Sequence, residues 1–274
     1  MTITIESETC TRCGICSEVC LSSVIVNDED DSFPRVVVGR SDMCSSCGHC
    51  VAFCPTGAII RDPIPAEQVS PAPVPPGVLG NYMKSRRSIR KYLPQPVPRA
   101  TVTELLDIAR YAPSAMNAQP VEWLVIDNKD DVQKVAGMTV DWMRGLEPGH
   151  PLHGYAAWFV KAWDGGEDVI CRGAPHVLIA HVPADNPLAA NDAIIALTHV
   201  DIAAPAFGIG TCWAGLVASA ARSYQPLQDF LSLPAGRATA YAMMLGYPKY
   251  KPHRIPGRKP LQVTWKSFPG EKRK

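Results

Sequence analysis

Residues 10–28, CTRCGICSEVCLSSVIVND, and residues 44–62, CSSCGHCVAFCPTGAIIRD, are two copies of one pattern. Each is a CxxCxxCxxxC run followed by a short segment rich in β-formers. Two equal halves imply two equal sites. CxxC spacing lets adjacent thiolates converge on one centre, and three thiolates at this spacing plus a fourth complete a cage around an iron–sulfide cubane. In tandem runs of this kind the fourth Cys serves the other cluster. This assigns Cys10, Cys13, Cys16 and Cys54 to one site, and Cys44, Cys47, Cys50 and Cys20 to the other. Structural zinc favours two ligand pairs split by a longer loop, and a disulfide framework belongs to an oxidising compartment, so both are weaker readings.

Outward from these runs the chain changes character. Eight of the ten cysteines lie in the first 54 residues, leaving Cys171 and Cys212. Residues 1–62 carry nine acids and four bases, a net charge of −5, and the remainder carries +6. Between them PIPAEQVSPAPVPP, residues 63–76, holds six prolines and reads as an extended, semi-rigid connector. The expected organisation is a cysteine head over 1–62, a linker over 63–76 and a body over 77–274. Over 274 residues the net charge is +1, which supplies no basic field for nucleic acid. The longest uncharged run, Ile202 to Ala221, contains Pro205, Gly208, Gly210 and Gly215 and reads as buried protein, not a membrane span. The opening MTITIESETC has neither a basic start nor an apolar core, so the expected location is the cytoplasm, with no signal peptide.

The head resembles the bacterial two-cluster 4Fe-4S ferredoxins over residues 4–62, with Cys54-Pro55 matching their usual Cys-Pro end. Leu21 stands where the first motif would carry that proline, and His49 inside the second motif reads as a surface residue.

In the body, GVLGNYMKSRRSIRKYL from Gly77 suggests a helix with Val78, Tyr82, Met83 and Ile89 on one face. It runs into Arg86, Arg87, Ser88 and Arg90, donors dense enough to suit a phosphate or other anion, although a solvated basic turn is the ordinary alternative. TVTELLDIARYA, 101–112, has the periodicity of an amphipathic helix ending at Pro113. PSAMNAQP, 113–120, is a loop of small and amide side chains. Its Asn117 and Gln119 suit the edge of a flat heterocycle or an ordinary Asx turn. EWLVID follows as a strand, HVLIAHVP (176–183) is a buried strand, and NDAIIALTHVDIAAPAFGIG is an apolar helix capped by Asn191 and broken near Gly208. Apolar on nearly all sides, that helix is expected between two subunits. GIGTCWAG, 208–215, does not fit a dinucleotide-binding GxGxxG and follows a helix, not a strand. Cys212 and Trp213 read as packing or as the wall of a pocket, with packing the ordinary choice. ATAYAMMLGYP closes the sheet, and Arg254, Arg258 and Lys259 form a second basic cluster that would share the first cluster's anion.

RRSIR, PSAMNAQP, the helix leading into GIGTCWAG, and LGYP with HRIPGRKP occur in the order seen in nitroreductase-like FMN-dependent oxidoreductases, which residues 77–262 resemble. The resemblance implies an α+β fold with an antiparallel-rich sheet flanked by helices, in a domain-swapped homodimer with two FMN sites at the interface. Carried over by motif, Arg86, Arg87, Ser88 and Arg90 would contact the ribityl phosphate and pyrimidine side, with Arg90 near N1. Pro113, Ser114, Ala115 and Asn117 would come from the partner chain. Ala214 and Gly215 would line the N5 side, and Arg254 and Arg258 would form a C-terminal phosphate clamp. CWAGL is one residue shorter than the common CWxGG form.

These parts imply a reductase whose two clusters pass electrons to FMN, which reduces a small acceptor such as a nitro compound or quinone. Ferredoxin is the expected donor, ahead of NAD(P)H. No side chain stands out as a catalytic acid or base. Reductive dehalogenation, flavin destruction and a non-enzymatic electron carrier or sensor are the alternatives. Residues 137–166 are the candidate lid.

Overall fold

The computed structural model describes residues 3–28, 32–61, 66–67, 69 and 73–266. In the head, strand β1 (Ile3–Ile5) pairs antiparallel with β4 (Ile59–Arg61), and β2 (Ile25–Val26) pairs with β3 (Arg35–Val36). Two single-turn helices, α1 (Ile15–Glu18) and α2 (His49–Ala52), lie between the pairs. The duplication seen in the sequence is repeated in the backbone. Arg12 and Ser46 both have φ 59°, Gly14 and Gly48 both have φ 75°, and Ser23 at 48° matches Gly57 at 71°. Gly14 and Gly48 cap their helices in the left-handed region, which costs glycine little. Ser23 holds the same conformation without that freedom. Leu21, in place of proline, is almost fully exposed and leaves the turn intact.

The connector lies partly outside the described residues, and its last residue, Pro76, is already the first residue of α3 (Pro76–Ser85), the position where proline costs no hydrogen bond. The body is built on four antiparallel strands in the order β5 (Glu122–Ile126), β6 (His176–Pro183), β8 (Arg237–Gly246) and β7 (Gly210–Trp213). Strand periodicity splits the core between two faces. Val177, Ile179, Ala242 and Met244 pack toward α5 (Lys129–Arg144), α6 (His153–Asp164), α8 (Gly215–Ser223) and α9 (Gln225–Leu231). Leu178, Ala180, Met243 and Leu245 pack toward α4 (Arg99–Ala109) and α7 (Ala189–Ala203).

Several sequence readings are corrected here. α3 ends at Ser85, so Ile89 is not on its face; the Ile89 N–H donates to the Thr211 carbonyl at 2.8 Å, laying RRSIR beside β7. Val78 and Met83 are exposed. α7 is capped at Leu188, not Asn191, because Asn186 Oδ1 accepts the Leu188 N–H at 3.0 Å and starts the helix earlier. Only part of α7 lacks cover: Ala193, Leu197 and Val200 enter the body's own core, while Ile194 and Ile195 look outward. Residues 137–166, the candidate lid, are mostly helical. Their first half completes α5, with Val140, Trp142 and Met143 buried, and Gly137 is pressed against Trp163 of α6. Tyr155 and Trp158 remain exposed on α6.

Asp201 on α7 fixes the edge of the sheet. It is 6% exposed and takes the Thr211 hydroxyl, the Trp213 Nε1–H at 3.1 Å and the Arg86 guanidinium at 3.2 Å. At β7 a Cβ on Gly210 would lie 2.8 Å from Ile89 Cβ and nearer still to its Cγ1. Gly210→Ala is therefore expected to destabilise the fold by about 1–3 kcal/mol, read as a lower urea midpoint, because Ile89 cannot withdraw without breaking its bond to β7.

Two buried histidines on β6 set an acid limit. His176 Nε2 accepts the Val97 N–H at 2.8 Å, and His181 Nδ1 accepts from Arg237 Nε at 3.1 Å. Burial holds His176 below its ordinary value, and burial with the adjacent Arg237 does the same for His181. A depressed folded-state value means that the unfolded chain binds protons first as pH falls. Stability should be complete above the ordinary histidine value of 6.5 and decline as pH falls below it. Urea midpoints are expected to drop between about pH 6.5 and 5, with a shallower drop in His176→Gln, whose amide oxygen can accept the Val97 N–H without titrating.

Candidate functional site

The eight head cysteines gather as the tandem pattern predicts. Cys10, Cys13, Cys16 and Cys54 line one cavity with Gly14, Ile15 and Thr56. Cys20, Cys44, Cys47 and Cys50 line a second with Ser46, Gly48, His49 and Arg61. Both crossings arise because the fourth Cys of each run follows a helix turn that carries it to the opposite end of the head. Backbone donors already aim at these sulfurs: Val24 N–H reaches Cys20 Sγ and Ala58 N–H reaches Cys54 Sγ, each at 3.2 Å, at corresponding places in the repeat. Burial pushes the Cys50 thiol up, and its neighbours Cys47, Cys20 and Cys44 add to the shift; burial also raises Cys16, with Cys10 and Cys13 contributing. Burial acts the same way on Cys54, but N–H and hydroxyl donors from Thr56, Ala58 and Ile59 outweigh it and hold this thiol below its usual range. Four sulfurs around a cavity, with N–H groups directed at them, match the donor chemistry of an iron–sulfur cubane. His49 is exposed and stacks on Phe53 at 6.0 Å.

In the body, the RRSIR donors have different partners. Arg86 is committed to Asp201, which gives it a structural pairing that its sequence neighbours lack. Arg87 donates to the Arg86 carbonyl at 2.5 Å. Neither Arg87 nor Arg90 has a carboxylate partner among the described residues. Burial raises the Cys212 thiol and Asp201 adds to the rise, while the charges of Arg90 and Arg172 and the Ser88 hydroxyl act against it. Arg172 is the residue that the sequence did not single out. It stands at φ 59° in a loop whose N–H groups at Ile170, Cys171 and Gly173 all bond to Asp168, and no motif at 168–173 announces this arrangement. Ala214 caps α8 and Gly215 opens it, next to β7, so the positive end of that helix lies at the same edge. Arg87 and Arg90, without a carboxylate partner among the described residues, the Ser88 hydroxyl and a helix N-terminus form a donor set that fits a phosphate-bearing flavin.

The second predicted group sits elsewhere. The Ala115 N–H donates at 3.1 Å to Asp192 Oδ1, on the first turns of α7, while Asp192 Oδ2 is buried without a partner among the described residues. Ser114 Oγ accepts the Gln119 N–H at 2.9 Å, and Met116, Asn117 and Gln119 all have positive φ. Pro113 is exposed at the start of this loop. The Asn117 amide, expected at a flavin edge, instead donates to the Ser46 carbonyl at 2.9 Å and to the Ser45 carbonyl at 3.5 Å, both in the head. Arg254 and Arg258 are exposed in an extended segment, and among the described residues neither makes a hydrogen bond or ion pair that joins it to RRSIR. Cys171 and Cys212 are buried packing residues, with Cys212 on β7.

A 4Fe-4S dicluster domain model matches residues 9–59, and the nitroreductase family model matches residues 83–247. A Methanothermobacter thermautotrophicus protein bearing the name NADH dehydrogenase/NAD(P)H nitroreductase is 26% identical over 176 residues, 62% of this chain and 77% of its own length. A Bacillus subtilis NAD(P)H nitroreductase homologue is 47% identical over 55 residues, 20% of this chain and 26% of that protein. Among solved structures, an FMN-bound nitroreductase from Desulfitobacterium hafniense superposes with a TM-score of 0.56 at 21% identity, covering 68% of this chain and 97% of its own. One from Bacteroides fragilis gives 0.55 at 16% identity, covering 69% and 97%. The antiparallel sheet with helices on both faces, the RRSIR edge beside β7 and the span of the family match lead to one conclusion: the chain belongs to the nitroreductase family and carries a 4Fe-4S dicluster domain ahead of the nitroreductase domain.

Proposed function

We propose that this protein is an FMN-dependent reductase that draws electrons through two 4Fe-4S clusters of its own and reduces a small, flat acceptor. The observation that carries this reading is the coexistence of two four-cysteine cavities in the head with Arg87 and Arg90, which have no carboxylate partner among the described residues, in the segment that lies beside β7. Cys10, Cys13, Cys16 and Cys54 would hold one cluster, and Cys20, Cys44, Cys47 and Cys50 the other. Arg87, Ser88 and Arg90, joined by Arg172, would hold the flavin's phosphate and pyrimidine side. Arg86 supports them through Asp201. When bound, FMN supplies the means to collect single electrons and release them as a hydride equivalent.

Within this reading a cation at Arg90 favours the negative charge of reduced flavin without donating a proton. Four of the seven histidines are engaged elsewhere: His176 accepts the Val97 N–H, His181 accepts from Arg237, His150 caps Leu152, and His199 meets the Ile195 carbonyl; His49, His153 and His253 are exposed. Solvent or the acceptor supplies the proton. A homodimer completes the site. Asp192 and Asp201 stand nine residues apart on α7, about 13 Å along the axis, so one protomer's 113–117 loop and RRSIR segment lie at opposite ends of that helix. Pairing outward-facing Ile194 and Ile195 with a second copy would bring one protomer's loop to the other's RRSIR edge and the exposed C-terminal arginines within reach.

Protein purified without air is expected to contain about eight irons with matching sulfide and one FMN per chain; zinc without sulfide would overturn the head assignment. Arg87→Ala is expected to weaken FMN binding by about 1.5–3 kcal/mol, or roughly 10- to 150-fold, in a fluorescence titration. Unchanged affinity would remove Arg87 from the phosphate site. Donor preference checks the relay: reduced ferredoxin should bleach the flavin faster than NADPH, and the reverse order would place the entry point at the flavin itself.

A further inference from the structure

The two halves of the head repeat one backbone, yet they differ at one turn. Between the first two cysteines of each run the sequence is Thr11-Arg12 in the first copy and Ser45-Ser46 in the second. Arg12 and Ser46 share a φ of 59°, so the turns have the same shape and differ in what they present. Thr11 and Arg12 are exposed, a bulky and charged pair facing solvent. Ser45 and Ser46 are partly buried, and their carbonyls accept the Asn117 amide from the body's 113–119 loop. The Ser46 carbonyl is also held by Arg61 at 2.7 Å, within the head, and Ser46 lines the cavity of Cys20, Cys44, Cys47 and Cys50. The second cysteine group is therefore on the body side, while the first, with exposed Cys13, is not.

We propose that Asn117 is a latch that seats the head on the body through the Ser45-Ser46 turn, making the Cys20/Cys44/Cys47/Cys50 group the exit toward the body and the Cys10/Cys13/Cys16/Cys54 group the entry. The small serine pair permits the close approach, and the Thr11-Arg12 turn is the corresponding face left for an external donor. The assignment of entry and exit rests on the iron–sulfur and flavin reading above. Each passage moves one electron, supplied by a low-potential one-electron protein or dye. The entry cluster is oxidised as the exit cluster is reduced, and the exit cluster is reoxidised as the flavin takes the electron. Two passages, with proton uptake from solvent, complete a two-electron reduction. Asn117 is a positioning residue in this scheme, acting through the turn that it holds.

The test writes the first copy's residue into the second. Ser46→Arg introduces a side chain that the head already accommodates at that φ in Arg12, and Asn117→Ala removes the donor from the other side. In the full-length holoprotein both variants should raise amide hydrogen exchange in 113–119 by about tenfold, the effect of losing one hydrogen bond. Ser46→Arg, mixed with reduced methyl viologen, should lengthen the interval between cluster bleaching and flavin bleaching at least tenfold while keeping wild-type iron and flavin content. Exchange that stays at the wild-type level in both variants would overturn the latch. Faster exchange with an unchanged bleaching interval would overturn the exit assignment. The exchange arm requires no electron transfer, and iron and flavin analysis reports separately on the cofactor reading, so its failure and the latch's failure are distinguishable.

Discussion

Helix α7 carries a buried carboxylate near each end, and the two loops that matter to the body hang from them. Asp201 gathers Thr211, Trp213 and Arg86, tying the RRSIR segment to the edge strand β7. Asp192 accepts the Ala115 N–H and so fixes the 113–119 loop. Buried carboxylates persist only when donors satisfy them, because an uncompensated charge in a core costs several kcal/mol. Asp201 meets that condition fully within one chain. Asp192 meets it with one oxygen, and the other has no partner among the described residues. The helix between them is apolar on its inner face at Ala193, Leu197 and Val200, so its depth against the sheet sets the height of both loops at once.

Much of this was legible in the sequence because it rests on short-range chemistry. The eight cysteines at fixed spacings placed both cavities, including the crossed fourth cysteine, and apolar runs placed β6 and β8. What sequence could not show was pairing across distance. Asp201 and Arg86 are 115 positions apart, and nothing about either marks it for the other. RRSIR read as one block of donors, whereas burial beside α7 turned Arg86 into an internal partner and left Arg87 and Arg90 without carboxylates. Arg172 was invisible because its position depends on Asp168 accepting three N–H groups of one loop, a local geometry with no signature spacing. The candidate lid at 137–166 shows the same limit: its aromatic residues suit helix–helix packing as well as a pocket cover, and the fold uses Trp163 for packing against Gly137 while Tyr155 and Trp158 stay exposed.

The head illustrates how a duplicated unit becomes directional. Two copies with matching φ values, matching cavities and matching N–H···S donors are equivalent until something breaks their equivalence. Substitution at the turn after the first cysteine does this without changing a cysteine, since Thr11-Arg12 and Ser45-Ser46 lie between the first two cysteines of each run. Symmetry is thereby kept where the cluster chemistry needs it and lost where orientation needs it.

A latch of one amide on two carbonyls is weak by the standard of protein interfaces, where a stable association buries roughly 1,200–2,000 Å². Its adequacy follows from the linker. A Pro-rich connector of this length holds the head near the body at an effective concentration of roughly millimolar, so the contact needs only to select an orientation, not to bring the partners together. The head's −5 and the +7 of residues 77–274 act in the same direction over a Debye length of about 8 Å at physiological salt. Tether, charge and latch thus divide the work by range: the connector sets proximity, the opposite charges favour approach, and Asn117 fixes which end of the head faces inward. With that end seated, the exposed Thr11-Arg12 turn faces away from the body, so a donor can meet the entry side without competing for the surface that the latch occupies.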